Sequence, residues 1–174
     1  MKLTDKGDIR PPPILTGPAQ RVSREIQSWP KIVAAAHWYL RDRTQVDGAD
    51  FYVGERELGH IHLDGEIHLG TTKALRDALI EQRLAEPFEW HEAWVQFSIR
   101  SKADAEHALW LFRLAYDRLS GAKAASLKQR VAEYAVVRKC HGPPDWVSQP
   151  PAPIEVLVRA QERFREAKAA YAQA

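Results

Sequence analysis

Three histidines and a carboxylate fall within one short segment of this chain: GHIHLDGEIHLG, Gly59 to Gly70, carries His60, His62, His68 and Glu66. Imidazole titrates near neutral pH, so such a group could pass protons, take a proton from a phenolic or enolic hydroxyl, or hold a metal ion. A histidine-rich set with a carboxylate suits zinc or iron in principle. His-x-His on a hairpin lacks the specificity of a metal-binding HExxH helix, however. The reading therefore gives catalysis to His60, His62, His68 and Glu66 and calls for no metal and no cofactor. The plainer alternative is a polar sheet surface held by cross-strand contacts.

The direction of these side chains depends on how the hairpin closes. A two-residue turn at Asp64 and Gly65 pairs His62 with Ile67 and mixes both faces. A three-residue loop, Leu63 to Gly65 with Gly65 left-handed, pairs His60 with His68 and Ile61 with Ile67. Only the second register separates the faces, with Ile61, Ile67 and Leu69 on one side and His60, His62, Glu66 and His68 on the other.

Four further residues are candidates for contacting a substrate. His37 ends an apolar stretch, Arg76 could neutralise or orient a ligand, as could Arg56 and Glu57, and His91 and Trp94 could wall an aromatic pocket together with Trp90. Each has an ordinary alternative: a core-edge histidine, a surface ion pair, or aromatic packing.

The surrounding pattern predicts an α+β fold: an antiparallel β-sheet of about four strands with helices packed on one face. Residues 1–18, with Pro11, Pro12, Pro13 and Pro18, read as an extended or mobile arm. Residues 19–139 form the α+β domain. A short helix over 19–28 precedes a second helix from Ser28 to about Arg41, whose apolar residues recur at helical spacing. A turn-rich break over 45–50 leads into strands at 51–53, 57–62 and 66–69. Thr71 or Thr72 caps a helix running through Leu84, and 94–99 alternates as a half-buried strand. Ser101 and Asp104 open the strongest helix, with Ala105, Ala108, Phe112, Ala115 and Leu119 on one stripe, and another helix follows to Lys139. A proline-rich linker (140–153) and a C-terminal helix (154–174) complete the chain, the helix offering a face for the domain or for a second subunit in a homo-oligomer.

Composition narrows the partners. The 174 residues are 45% hydrophobic, enough for one core, and 25 basic against 23 acidic residues leave no large uniform field. Nucleic acid and an anionic membrane are therefore not expected partners, whereas a small-molecule ligand is. One cysteine, Cys140, excludes an internal disulfide framework. The charged, proline-interrupted N-terminus is unlike an export signal, and no apolar run approaches bilayer length, so the expectation is a soluble, cytoplasmic protein.

FYVGERELGHIHLDGEIHLG, LRDALIEQRLAEP and WVQFSIRSKADAEHALWLFRLAYDRL together resemble the luciferase-domain family, bacterial proteins grouped with fungal luciferases. The order of elements is also similar to YjbR-like proteins. The luciferase resemblance implies a cofactor-independent oxygenase acting on a hydroxypyrone-like or phenolic substrate, with His60 and His62 as base and orienting group. The family's histidine after AEP is absent here, where Phe88 and Glu89 follow Pro87 and His91 is displaced. Two other function classes compete with this one: a non-catalytic protein-interaction module, and a metal-dependent enzyme built on the hairpin.

Overall fold

The structure is a computed structural model, and it describes residues 2–6, 8–39 and 42–140. The expected linker and C-terminal helix lie outside the described residues, apart from Cys140 at the end of the last helix. Six antiparallel strands form one sheet in the order β1-β2-β3-β4-β6-β5: β1 (Ile32–Tyr39), β2 (Asp42–Val53), β3 (Arg56–His62), β4 (Glu66–Gly70), β5 (Glu86–Pro87) and β6 (Trp94–Ser98). Four helices accompany it: α1 (Gly17–Gln27), α2 (Lys73–Glu81), α3 (Lys102–Leu119) and α4 (Ala124–Cys140). No helix among the described residues is long and apolar enough to cross a membrane.

Two strands exceed the expected four. The helix expected from Ser28 to Arg41 is instead β1, and the break expected over 45–50 lies inside the twelve-residue β2. Lys31, in the left-handed region at φ 61°, turns the chain out of the α1 exit before a new helix can start. Beyond it, the alanines that favour a helix are outweighed by pairing of the whole segment with β2, from Ile32 opposite Val53 to His37 opposite Gly48. β5 has only two residues, too few for a periodic signal.

The hairpin closes as the three-residue loop. His60 lies opposite His68 and Ile61 opposite Ile67, Gly65 has φ 89°, and its N–H donates to the His62 carbonyl. Ile61, Ile67 and Leu69 are buried in one core with Phe51, Val95 and Phe97 from the same sheet face. The helices cover that face. α3 brings Ala105, Ala108 and Ala115, small residues that let it lie close, and Phe112 meets Phe51 edge-on at 5.7 Å. Its start is a capping box in which the Ser101 hydroxyl and the Asp104 carboxylate satisfy each other's backbone N–H groups. Val22 and Ile26 of α1, Leu75 and Leu79 of α2, and Leu127 and Val131 of α4 complete the core. Burying one of these side chains fully stabilises the fold by about 1.5–3 kcal/mol.

The proline-bearing N-terminal segment is laid against the sheet. Leu3 N–H donates to the Glu55 carbonyl at 3.0 Å, Ala36 N–H to the Arg10 carbonyl at 2.8 Å, and the Trp38 indole to the Asp8 carbonyl at 3.1 Å. This path carries the Lys6 side chain onto the polar face.

Candidate active site on the polar sheet face

The sheet face away from the helices collects histidines from three strands. Two cross-strand rows build it: Asp50, His60 and His68 in one, and His37, Gly48 and His62 in the next. Residues directly opposite each other lie about 5 Å apart, so neighbouring side chains in a row touch. In the second row Gly48 stands between the two histidines, and a Cβ there would come within 2.1 Å of the Ile61 carbonyl oxygen. Over this glycine the His37 and His62 rings meet edge-on at 5.0 Å.

A bulge in β3 adds an acidic group. Tyr52 pairs with Glu57 and Phe51 with Gly59, leaving Leu58 extra. Residues three apart on a regular strand face opposite sides, whereas here both Glu57 and His60 reach the polar face, Oε1 to Nδ1 3.4 Å. Gly59 has φ 153°, and a Cβ would lie 2.4 Å from the His68 carbonyl oxygen, so the bulge requires glycine.

Each histidine turns one nitrogen toward a carboxylate. His37 Nδ1 is 2.7 Å from Asp50, His62 Nδ1 2.9 Å from Asp47, and His68 Nε2 2.6 Å from Glu66. The other nitrogens turn inward: His68 Nδ1 is 2.9 Å from His60 Nε2 and 3.2 Å from His62 Nε2. His37 stacks on His60 at 4.1 Å. Phe88 lies 4.2 Å from the His68 ring and Trp94 5.8 Å from that of His60, forming an aromatic wall.

The cluster has a closed and an open end. At the closed end Asp50 is 1% exposed and ion-paired with Lys6. Burial lowers the Lys6 ammonium to about 8, against the pull of Glu57. At the open end His62, Asp47 and Glu66 are 18%, 35% and 40% exposed. Burial disfavours charge throughout and holds His37, His60 and His68 below the ordinary histidine value, with neighbouring imidazoles adding to the effect. Burial opposes charge on His62 too, yet the hydrogen bond and charge of Asp47, with Asp64 and Glu66 behind it, raise it above the ordinary value. The His68 hydrogen bond lowers Glu66.

Of the residues singled out from sequence, His37, His60, His62, Glu66 and His68 come together, and Trp94 stands beside them. His91, exposed, meets Trp94 at a tilt, 5.8 Å between ring centroids, and does not join the histidine network. Arg76 pairs with Asp77 on α2 at 2.9 Å and is not joined to the histidine network. Sequence reasoning missed Asp47, Asp50, Lys6 and Phe88, and named Glu57 as able to orient a ligand without placing it on the histidine face. Alternation back from His60's partner was the available signal for Asp50, hidden by reading 45–50 as a turn, whereas Asp47 is the extra residue where the register shifts between Gly48 and Val46. An open cleft of about 460 Å³ shares Glu57 and Trp94 with the site and adds Lys2, Arg56 and Arg118, although none of the four histidines lines it.

Comparison with curated proteins and with solved structures finds no match. Residues 55–115, which carry His60, His62, Glu66 and His68 but neither His37 nor Asp50, match the family model of the Luciferase domain.

Proposed function

We propose that the polar sheet face is the active site of a luciferase-like enzyme that deprotonates the hydroxyl of an electron-rich small molecule, a hydroxypyrone or a phenol. One observation carries the reading: two carboxylate-held imidazoles, Asp47–His62 and Glu66–His68, meet head to head with 3.2 Å between their inner nitrogens. A carboxylate behind an imidazole fixes its tautomer and makes its far nitrogen the better base. His62, at the open end, accepts the substrate proton, His68 relays it, and Phe88 and Trp94 offer flat apolar surface for a planar ring. The resulting anion donates an electron pair to dioxygen: a carbon–oxygen bond forms, dioxygen is reduced to the hydroperoxide level, and the relayed proton returns to the distal oxygen. The chain's own residues suffice for the proton steps. Oxygen consumption with a panel of polyphenols and hydroxypyrones tests this. A turnover signal that falls about 10²–10⁴-fold in His62→Ala and His68→Ala is expected, and undiminished rates in both variants would remove the proposal.

A further inference from the structure

The proton arrangement of the cluster leaves one defect. A neutral imidazole has a single N–H, and His37, His62 and His68 direct theirs outward to Asp50, Asp47 and Glu66. Their remaining nitrogens are then lone pairs. His68 Nδ1, a lone pair, faces His62 Nε2, another, at 3.2 Å. His60 can supply one proton from Nε2 to His68 Nδ1 at 2.9 Å, but its own Nδ1 is then bare. That atom is buried, has no hydrogen-bond partner among the described residues, and lies 3.4 Å from Glu57 and 3.7 Å from Asp50. A bare lone pair directed at two carboxyl groups inside a protein is unfavourable.

We propose that His37, His60, His62 and His68 together bind one divalent transition-metal ion of the zinc, cobalt or iron(II) class. A cation between the inner nitrogens removes every conflict at once. His60 Nε2 becomes a ligand, its N–H moves to Nδ1 and faces Glu57 and Asp50, and His60, His62 and His68 share one pattern: carboxyl outside, metal inside. That carboxylate–imidazole–metal arrangement is how metal-bound histidines are ordinarily held.

Two separations are close to what a metal needs: tetrahedral zinc with bonds of about 2.0–2.1 Å separates its nitrogen ligands by about 3.3 Å, and the inner separations at His68 are 2.9 and 3.2 Å. One nitrogen from each of His37, His60 and His62 lies within 4.8 Å of the other two, a set that does not include His68, so the four rings must draw together around the ion. His37 lies nearly parallel to His60, 16° between planes, so it joins only after its ring turns, and it is the weakest of the four ligands. An all-imidazole donor set without thiolate favours zinc, cobalt, iron or copper over magnesium or calcium, which take oxygen ligands. Asp47, Asp50, Glu57 and Glu66 around the imidazoles, against the ammonium of Lys6 and the Arg100 charge near Glu66, supply the negative surroundings that a dication requires.

The ion would take the same inner nitrogens of His62 and His68 that the proton-transfer reading gives to the base and the relay, so the two are alternative uses of one site. The inference does not rest on that reading, because binding is measured with no substrate present. Tag-free full-length chain, stripped with a chelator, is titrated with zinc chloride by calorimetry and with cobalt(II) chloride by visible absorption. One ion per chain, an intense low-coordinate cobalt spectrum and a rise in Tm with zinc but not with magnesium are expected. His62→Gln, at the open end where folding is least at risk, should weaken binding at least 100-fold, and Asp47→Asn, which removes only the carboxylate behind His62, 10–100-fold. Absence of stoichiometric binding to the wild-type chain would overturn the proposal, as would binding that survives unchanged in both His62→Gln and His68→Gln.

Discussion

Among the described residues two places bury histidine, and they solve the problem in opposite ways. On α3, beneath α4, His107 is 1% exposed, with Nε2 bonded to the Leu84 carbonyl at 2.6 Å and Nδ1 to the Tyr134 hydroxyl at 3.1 Å. Its ring lies parallel to those of Trp110 and Tyr134, which stack on each other at 3.9 Å. Both nitrogens are matched by neutral partners, so nothing remains for a ligand. On the polar face the carboxyl partners stand outside and the imidazoles confront one another inside. A satisfied histidine is structural, whereas histidines whose inner nitrogens face only each other leave coordination or proton capacity to spare. Burial alone does not distinguish the two; the partners do.

The largest effect is expected from removing the one cation at the closed end. Lys6→Ala leaves the buried Asp50 carboxyl without its ion-pair partner, and breaking a buried pair from one side costs about 3–5 kcal/mol. Denaturant unfolding measures it. A loss below about 1 kcal/mol would mean that Asp50 is compensated by His37 and His60 alone, and that the N-terminal segment is incidental to the cluster.

Acid unfolding probes the other region. Burial lowers His107 to about 3 from an ordinary value of 6.5, the Arg138 charge adding to the effect and the Leu84 hydrogen bond opposing it. Between those values the unfolded chain binds a proton that the folded chain refuses, so this contribution is complete above pH 6.5 and is lost as pH falls toward 3. At ~1.4 kcal/mol per unit the full window is worth ~5 kcal/mol. His107→Gln, which cannot titrate, should show a shallower fall over that range, read as the wild-type minus variant difference in unfolding free energy. Parallel curves would show that His107 is protonated without cost and is less tightly enclosed than its partners imply.

The contrast between the regions was only half visible in the sequence. The hairpin was legible because Ile61, Ile67 and Leu69 can share a face in one register alone, and α3 because its stripe and its Ser101–Asp104 cap agree. β1 was not, since Ala34, Ala35 and Ala36 satisfy a helical pattern and only pairing with β2 decides otherwise. Gly48 and its flanking aspartates look like a turn, yet the glycine is there because the Ile61 carbonyl leaves no room for a side chain, and the aspartates because they hold histidines. Glu57 was hidden for a different reason: the bulge breaks the alternation that assigns faces. Lys6 arrives from 44 positions before its partner Asp50, a contact no local pattern encodes.

The smallest effects come from deleting one partner of one histidine in each region, which makes the comparison sharpest. Tyr134→Phe removes the hydroxyl at His107 Nδ1 and should cost about 1 kcal/mol in unfolding free energy, with no change in turnover or metal uptake, because Leu84 still holds the ring. Glu66→Gln removes the carboxylate behind His68 at a site 40% exposed, where an ion pair contributes ~0–1 kcal/mol to stability. Its stability cost should match or fall below that of Tyr134→Phe. Turnover, however, should drop by about tenfold or more, since the neutral amide no longer enforces the His68 tautomer that leaves Nδ1 bare. Equal functional silence in both variants would place the polar-face histidines in the same structural class as His107, and the distinction drawn from their partners would then fail.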